Sequence, residues 1–504
     1  MTTSRRAASV LAFALTTTAG CSAPPHPPNS IHGSPPAPIA MTPPSRPEPT
    51  APAQIAADPP APSAGTVEAL RDAVLSSSQA WETTRSLVDE VGPRFAGSPG
   101  DRAAVAWAQR TLTAHGLQNV RAEKVKVPRW QRGHEAAHLI APYPRDLVVA
   151  ALGGSAPTPP RGITAEVIAV PTVADLDKLD RKAVEGRIVF FHARMERTQT
   201  GTGYGKAVSI RTAGPSAAAR KGAAAVIIRS VGTDVERIPH TGAVFYQADA
   251  PRIPAAALSV PDAEMLERLL AKGPAKLTLT LDSKVLPDAE SANILGEVPG
   301  SSAPDEIVLL GAHLDSWDLT PGALDDAAGC AIVIEAARAI AALPRKPRRT
   351  VRVVLFANEE FGISGARAYA AAHAAEIPRH LIAIEADLGD GKVLTASFLG
   401  SDTARPAFEA LVRPLVPLGV TFIPDDAHGG SDLIPLRALG VPLADLHQDA
   451  TRYFDVHHTP NDTMAKIVRE DLDQAAAAYA AFAYAAADMS GDLGRIPEDK
   501  RQRR

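Results

Sequence analysis

Apolar runs that end in polar residues recur along the second half of the chain and indicate buried strands. Four of them, all after Ala292, are EIVLLGAHLD, TVRVVLFANEE, HLIAIEADLG and VPLADLH. A nearly continuous apolar run is typical of a strand that helices cover on both faces, as in parallel sheets. The pattern predicts an α/β fold whose mostly parallel central sheet is flanked by helices.

Shorter strand candidates alternate with helical patterns between about residues 160 and 286. In order they are AEVIAV, RIVFFHA, AAAVIIRS, IPAAALSV, the helix PDAEMLERLLAKG and the strand AKLTLTL. They indicate a separate α/β or β-rich module. Ahead of this module, folded sequence begins near Gly65 with two helical patterns that the turn-rich GPRFAGSPG separates, and the pattern becomes strand-like from Val125.

The first 21 residues have the pattern of an export signal. A positive start, MTTSRR, precedes the apolar run AASVLAFALTTTAG, which is shorter than the roughly 20 apolar residues that span a bilayer. We therefore expect an exported protein, periplasmic or extracellular. Residues 22–64 are dominated by Pro, Ala and Ser and predict an extended, disordered linker.

Two alternatives stay open at Cys21. TTAGC resembles a bacterial lipoprotein cleavage box, although Thr18 stands where that pattern prefers Leu. A lipidated Cys21 would tether the chain to a membrane, whereas a plain secretory signal would leave this cysteine without a role.

Composition and charge indicate a multidomain protein and argue against a nucleic-acid-binding one. The 504 residues, 45% of them hydrophobic, are enough for more than one domain. The net charge is −4, from 52 basic and 56 acidic residues, so nucleic acid is not an expected partner. The basic runs 345–352 and 500–504 are interpreted as solvated charge. Only Cys330 follows the signal, and its helical, apolar surroundings predict a core residue.

The polar residues at the strand ends include one histidine and several acids. In open α/β sheets, ligands bind beyond the carboxyl ends of the strands, and the chain places there His313, Asp315, Glu359, Glu360 and Asp387. So many carboxylates in one cleft stay ionised only if cations offset them. Histidine nitrogens mixed with carboxylate oxygens suit zinc better than calcium or magnesium, so we expect a dinuclear zinc site.

Each motif taken alone has an ordinary structural alternative. His313 with Asp315 fits a strand-end histidine held by an acid, Glu359 with Glu360 fits a solvated helix cap, and Asp387 fits a turn cap before Gly389. HHTPNDT, residues 457–463, fits a turn before a helix that Asp462 or Thr463 would cap. The order of all these motifs together carries the information.

That order is H-x-D, G-A-L-D-D-x-x-G, N-E-E, E-A-D and H-H-T-P-N-D-T. It resembles the co-catalytic two-zinc exopeptidases, a family that includes leucyl-type aminopeptidases and glutamate carboxypeptidases. Further blocks resemble the family too, namely 127–135, 158–167, 227–234 and 239–247, so that the resemblance extends from about Gly65 to Ser490.

The resemblance implies a division of the chain. Residues 65–159 and 287–490 would form the peptidase domain, 160–286 would be an inserted protease-associated domain, and 491–504 a tail. It also implies a homodimer and a peptide or dipeptide as the partner. The expected activity is hydrolysis of dipeptides or short peptides with free termini, with a broad aminopeptidase as one alternative and a non-catalytic binding protein as the other.

The resemblance also assigns roles to residues. His313 and Asp387 resemble the terminal ligands of one zinc, and Glu360 and His458 those of the other. Asp325 resembles the bridging acid, because the family's bridge lies four residues before the motif glycine, here Gly329. Asp315 matches the acid that orients the first histidine, and Glu359 matches the general base.

Two further histidines are candidates for contacts with substrate. His457 stands where several relatives have a tyrosine that donates to the oxyanion, so it either takes over that donation or is a structural histidine of the turn. His428 lies in the Gly-rich AHGGSD, near the side on which the family binds substrate.

Overall fold

The computed structural model describes residues 64–502. The predictions for the signal, for Cys21, for nearly all of the linker and for the last two residues of the tail lie outside this range. None of the described helices is both long enough and apolar enough to cross a membrane.

The described chain combines helices with two large sheets. Helices α1 to α14 span Ala64–Ser77, Ala80–Glu90, Pro99–Ala114, Val173–Asp177, Arg181–Val184, Thr202–Ala207, Ser209–Thr212, Gly214–Arg220, Val260–Leu270, Ala328–Ala342, Ser364–Ala372, Arg405–Val412, Ile434–Ala438 and Arg469–Asp488. Strands β1 to β16 span Gln118–Gln131, Glu135–Ala141, Arg145–Leu147, Val149–Ala151, Ile163–Val170, Ile188–Phe191, Ala225–Arg229, Ala255–Leu258, Lys276–Leu281, Lys284–Val298, Ala303–His313, Arg349–Phe356, His380–Glu385, Val393–Leu399, Thr421–Phe422 and Leu443–Gln448. The predicted α/β fold class is confirmed.

The first sheet has the strand order β1-β10-β12-β11-β13-β16-β14-β15. Its four central strands, β12, β11, β13 and β16, run parallel to one another. Towards the edges the pairs β10 with β12, β1 with β10, and β14 with β16 are antiparallel. The carboxyl ends of the four central strands therefore lie at one edge of the sheet.

Both faces of the first sheet are covered, which explains the continuous apolar runs. In β11, Val308 and Leu310 belong to the same core as α10 and α14, whereas Leu309 packs in the core that includes residues of α11 and α13. Because successive side chains of a strand point to opposite faces, each residue of the run is buried. Cys330 of α10 is fully buried, as predicted.

Helix α14 shows how closely helices pack on this sheet. Its segment Ala475–Ala487 is alanine apart from Tyr479, Phe482 and Tyr484, and all of it is buried. Alanine is the best helix former and adds little bulk, so neighbouring backbones can approach α14 closely. The helix begins at Arg469 and not directly after the HHTPNDT turn.

A paired ribbon leads from the first sheet to the second. Strands β1 and β10 pair antiparallel from Gln118 opposite Glu297 to Gln131 opposite Lys284. The chain between the two ends of this ribbon, residues 132–283, forms the second sheet, in the order β3-β2-β9-β5-β6-β7-β8-β4. Strands β2 to β4 of this sheet come from residues 135–151, ahead of residue 160.

Candidate metal centre

The strand-end residues of the first sheet converge at one point. His313 is the last residue of β11, Glu359 and Glu360 follow β12, and Asp387 follows β13. The Nε2 atom of His313 lies 3.4 Å from Oδ1 of Asp387. Parallel neighbours end at the same edge of a sheet, so the order of strands brings these side chains together.

Asp325 lies between two histidines. Its Oδ1 is 3.1 Å from Nε2 of His313, and its Oδ2 is 3.3 Å from Nε2 of His458. On the far side, Nε2 of His458 is 3.0 Å from Oε2 of Glu360. The five residues predicted as metal ligands thus form two groups that share Asp325, namely His313 with Asp387 and His458 with Glu360.

The neighbouring acid, Asp326, has a different task. Its Oδ2 accepts a hydrogen bond from the backbone N–H of His313 at 3.1 Å, and its Oδ1 accepts one from Gly329 at 3.0 Å. A Cβ atom on Gly329 would come within 2.2 Å of this carboxylate, so only glycine fits there. Asp326 holds backbone in place, whereas Asp325 lines the main cavity of the site, a space of about 580 Å³ beside the two ligand groups.

Asp462 fixes the loop that carries Asp325. Its carboxylate accepts from the backbone N–H groups of Leu324, at 2.7 Å, and Asp325, at 3.1 Å. The alternative that Asp462 caps the following helix is wrong, because its oxygens face a loop more than one hundred residues earlier and α14 starts only at Arg469. Burial raises the pKa of Asp462 to about 7.

Arg94 holds the same region through hydrogen bonds to its main-chain carbonyls. It is fully buried and donates to the carbonyl oxygens of Leu314 at 2.6 Å, Pro321 at 2.5 Å and Gly322 at 3.0 Å. These bonds fix the segment between β11 and Asp325. The turn pattern around Arg94 gives no sign of this role, because these carbonyl partners lie more than 200 residues away in sequence.

The predicted orientation of His313 by Asp315 needs a refinement. The ring Nδ1 lies 3.0 Å from the backbone carbonyl of Asp315, while the carboxylate is 3.8 Å away. That carboxylate instead accepts from the backbone N–H of Glu359 at 3.0 Å. Asp315 therefore sets the tautomer of His313 through its main chain and positions Glu359 through its side chain.

Glu359 stands apart from the two ligand groups. Its side chain lines the cavity beside them, together with Ser431. Burial, followed by the charges of neighbouring acids, raises its pKa. It is thus a buried carboxyl that faces the same space as the histidines.

The donor set fits metal ions. Two groups of side chains, Asp325 with His457 and His458, and His313 with Asp325 and Asp387, bring their donor atoms within 4.8 Å of one another. Oδ2 of Asp325 and Oε1 of Glu360 are buried without a hydrogen-bond donor, and burial raises the pKa of Glu360 to about 8. Cations stabilise the ionised form of such buried carboxylates, and imidazole with carboxylate is a zinc donor set.

His457 stacks on His458, with ring centroids 3.5 Å apart. Its Nε2 is 3.7 Å from Oδ2 of Asp325, and its Nδ1 is buried without a partner. Burial and the neighbouring His458 hold the pKa of His457 well below its usual range. His457 therefore faces the centre as a neutral ring.

His428 lies away from the main cavity. It lines a smaller cavity of about 180 Å³ that shares Asp387 and Leu388 with the main one, and its backbone N–H donates to Asp445 at 2.6 Å. The predicted contact of His428 with substrate is therefore limited to the side of the site beyond Asp387.

The main cavity has a volume of about 580 Å³ and includes residues from both sheets' regions of the chain. Tyr204, Val208, Arg211, Ala243 and Phe245 come from the chain segment of the second sheet. None of them is predicted as a site residue from the sequence. Residues 239–247 are indicated only by resemblance, and no local pattern shows which of their side chains turn towards the first sheet.

Comparison with known proteins places the chain among peptidases. The model of peptidase family M28 matches residues 293–483. Carboxypeptidase Q of Mus musculus is 39% identical over 421 residues, which cover 83% of this chain and 87% of that protein.

Two solved structures extend the comparison. A peptidase M28 precursor from Shewanella amazonensis SB2B is 45% identical and has a TM-score of 0.84, over 86% of this chain and 98% of that chain. A zinc aminopeptidase from Bacillus subtilis is 22% identical and has a TM-score of 0.60, over 82% of this chain and 98% of that chain. The second likeness is one of fold.

Proposed function

The chain belongs to peptidase family M28, and we propose that it is a zinc-dependent exopeptidase that hydrolyses dipeptides or short peptides with free termini. One observation carries the proposal: Asp325 lies between two histidine–carboxylate groups, and a separate buried glutamate faces the same cavity. A non-catalytic binding protein would not need this complete donor set.

We assign two zinc ions to the centre. His313 and Asp387 would hold one, Glu360 and His458 the other, and Asp325 would bridge them. Bound zinc supplies a Lewis acid that lowers the pKa of a water molecule and polarises the peptide carbonyl. The orphaned oxygens of Asp325 and Glu360 support this assignment.

The protein's own groups have separate tasks in the reaction. Glu359 takes a proton from the attacking water and returns it to the leaving amine, which a carboxylate that is not a ligand is free to do. Asp315 holds the backbone of Glu359 at 3.0 Å and so keeps this base at the wall of the cavity. His457 is the candidate donor to the oxygen of the tetrahedral intermediate.

The proposal includes the organisation of the chain. The first sheet, parallel at its centre, belongs to the peptidase domain, whose two parts end and resume at about residues 131 and 284, because strands β2 to β4 from the predicted part 65–159 lie in the second sheet. The second sheet represents the inserted protease-associated domain, with residues 160–286 as its main part. Export, a lipid tether at Cys21 and a homodimer remain predictions of the sequence.

Glu359→Gln and Glu360→Gln test the proposal as a matched pair of adjacent, identical residues. Glu359→Gln keeps the shape but cannot accept a proton, so activity on free dipeptides should fall by about 10²–10⁴-fold with zinc content near that of the unchanged protein. Glu360→Gln should lower zinc content, and excess zinc should restore part of its activity.

The opposite pattern would reverse the two roles. If excess zinc restored Glu359→Gln and not Glu360→Gln, the assignment of base and ligand would be wrong. A panel of free, N-blocked and C-blocked dipeptides shows which terminus must be free. Purified protein that binds no zinc and cleaves none of them would refute the proposed function.

A further inference from the structure

Loops of the second sheet make hydrogen bonds and an ion pair with the turn that carries His457 and His458. The backbone N–H of Thr233 donates to the carbonyl of Phe454 at 3.0 Å, and its hydroxyl donates to Asp455 at 2.8 Å. Arg197 also pairs with Asp455. The two contacting segments are more than 200 residues apart in sequence.

His240 is the most deeply buried member of this contact. Its side chain is 1% exposed, and its Nδ1 lies 2.6 Å from the backbone carbonyl of His457. Its Nε2 lies 3.0 Å from Oδ1 of Asp234. The ring thus joins a loop of the second sheet to the backbone between the two histidines.

Thr241 adds two main-chain contacts to His458. Its N–H donates to the carbonyl of His458 at 3.1 Å, and its carbonyl lies 3.3 Å from the ring Nδ1 of His458. Where Nδ1 donates to this carbonyl, the lone pair of Nε2 is directed at Glu360 and Asp325, and Nη1 of Arg211 lies 3.4 Å from the same Nδ1. Ligating histidines commonly have their other nitrogen fixed in this way.

The backbone of His458 needs outside support. Its φ is 62°, in the left-handed region, which residues other than glycine rarely adopt because the Cβ atom crowds the backbone there. Hydrogen bonds to the carbonyls of His457 and His458 hold the chain in this conformation. Without them the turn can relax, and the imidazole of His458 moves with it.

The local sequence is adapted to this arrangement. A Cβ atom on Gly232 would come within 2.3 Å of the ring of His240, so glycine makes the room for the ring. Gly232, Asp234, His240 and Thr241 fall within 227–234 and 239–247, two blocks that the proposed catalytic roles leave unused. Their contacts give both blocks one task.

We propose that His240, together with the backbone of Thr241, is the positioning device for the zinc ligand His458, so that one of the two zinc sites depends on the second sheet. This inference rests on the proposed function. His240 touches neither substrate nor the donor atoms of the centre; it acts through the carbonyl of His457.

Three substitutions separate the two contacts of the ring. His240→Asn keeps an N–H donor close to the position of Nδ1, His240→Gln keeps one close to the position of Nε2, and His240→Leu keeps neither. We expect Leu and Gln to raise the dissociation constant of one zinc by about 10–100-fold, the usual effect of losing such a partner. Asn should retain most of the affinity for both ions.

Zinc binding is measured by metal analysis and by competition with a chelating dye on the full chain. Hydrogen exchange of residues 453–461 in the metal-free protein gives a second readout, and it should speed up in the Leu and Gln variants but not in Asn. If the Leu variant does not fold, the Gln variant takes its place in the comparison.

The outcomes are distinct. If the unchanged protein binds two zinc ions and all three variants bind both as tightly, the positioning role is refuted while the proposed function stands. Equal losses of zinc affinity in the Asn and Gln variants also refute the positioning role, because the contact of Nδ1 with the carbonyl of His457 would then not be what holds the zinc ligand in place. If the unchanged protein binds no zinc, the proposed function itself fails.

Discussion

Asp325 and Asp326 allow a sharp test, because adjacent residues of the same type have opposite tasks. Asp325 faces His313 at 3.1 Å and His458 at 3.3 Å with its two oxygens. Asp326 uses both oxygens on backbone N–H groups, those of His313 and Gly329. Asp325→Ala should therefore remove metal, and Asp326→Ala should remove stability.

The magnitudes follow from these contacts. Opposite unit charges about 4 Å apart are worth about 4 kcal/mol at an effective dielectric constant of about 20. Zinc carries two charges. Even if a water molecule replaces the carboxylate in Asp325→Ala, we expect the binding free energy of each ion to fall by at least about 3 kcal/mol, which is about 10²-fold in affinity. Asp326→Ala leaves two buried N–H groups unsatisfied, at about 1–3 kcal/mol each, whereas its zinc affinity should fall by about tenfold or less.

The assay has two parts. Metal analysis after gel filtration counts the zinc ions that each variant retains, and denaturant unfolding of the metal-free forms compares their stability. Asp325→Ala should lose both ions, and Asp326→Ala should unfold at lower denaturant while keeping two. If Asp326→Ala emptied the site and Asp325→Ala kept two zinc ions, the assignment of the bridge would be wrong.

Three further predictions concern pH, metal and location. Burial lowers the pKa of His380 to about 4. Between about pH 6.5 and 4 this histidine is protonated in the unfolded chain but not in the folded one, so the free energy of unfolding should fall by up to about 3 kcal/mol as the pH falls through this range. A His380→Leu variant that loses stability just as steeply in this range would contradict this. Dialysis against a chelator should lower the melting temperature and added zinc should restore it, and an unchanged melting temperature would argue against bound metal. Cys21→Ser should release a lipid-anchored protein from membranes, and full-length chain in the cytosol would contradict export.

The convergence of the strand ends could be predicted from sequence because it follows from local pattern and sheet geometry. Apolar runs predict β11, β12 and β13, and a polar residue after such a run must lie at the carboxyl edge. The location of His313, Glu360 and Asp387 at this edge can therefore be predicted from the sequence alone. Asp325, which no strand carries, came only from resemblance, since the choice between it and Asp326 depends on which backbone N–H groups each carboxylate faces.

The residues that support the centre were missed for a common reason. Arg94, His240 and Asp462 act on backbone groups more than one hundred residues away. Nothing in a local pattern distinguishes a buried arginine that binds four backbone carbonyls from a solvated one. Strands β2 to β4 lie in the part that the sequence predicts as strand-like from Val125, but their place in the second sheet was not predicted, and two of them, β3 and β4, have only three residues each.

The ribbon of β1 and β10 bears on how this architecture could have been assembled. Gln131 and Lys284 face each other in register, and Cα atoms of such partners are about 5 Å apart. A short hairpin turn could therefore join them and delete everything in between, leaving the first sheet with its strands in order. Insertion of a ready-made unit at a hairpin tip is the reverse of that step. Deleting residues 132–283 would leave the strand order of the first sheet unchanged. It would, however, remove the loops that contact the turn bearing His458. With the positioning role proposed for His240, a descendant that lost residues 132–283 would have to evolve new contacts for the turn of His458, so we expect the two parts of this chain to depend on each other.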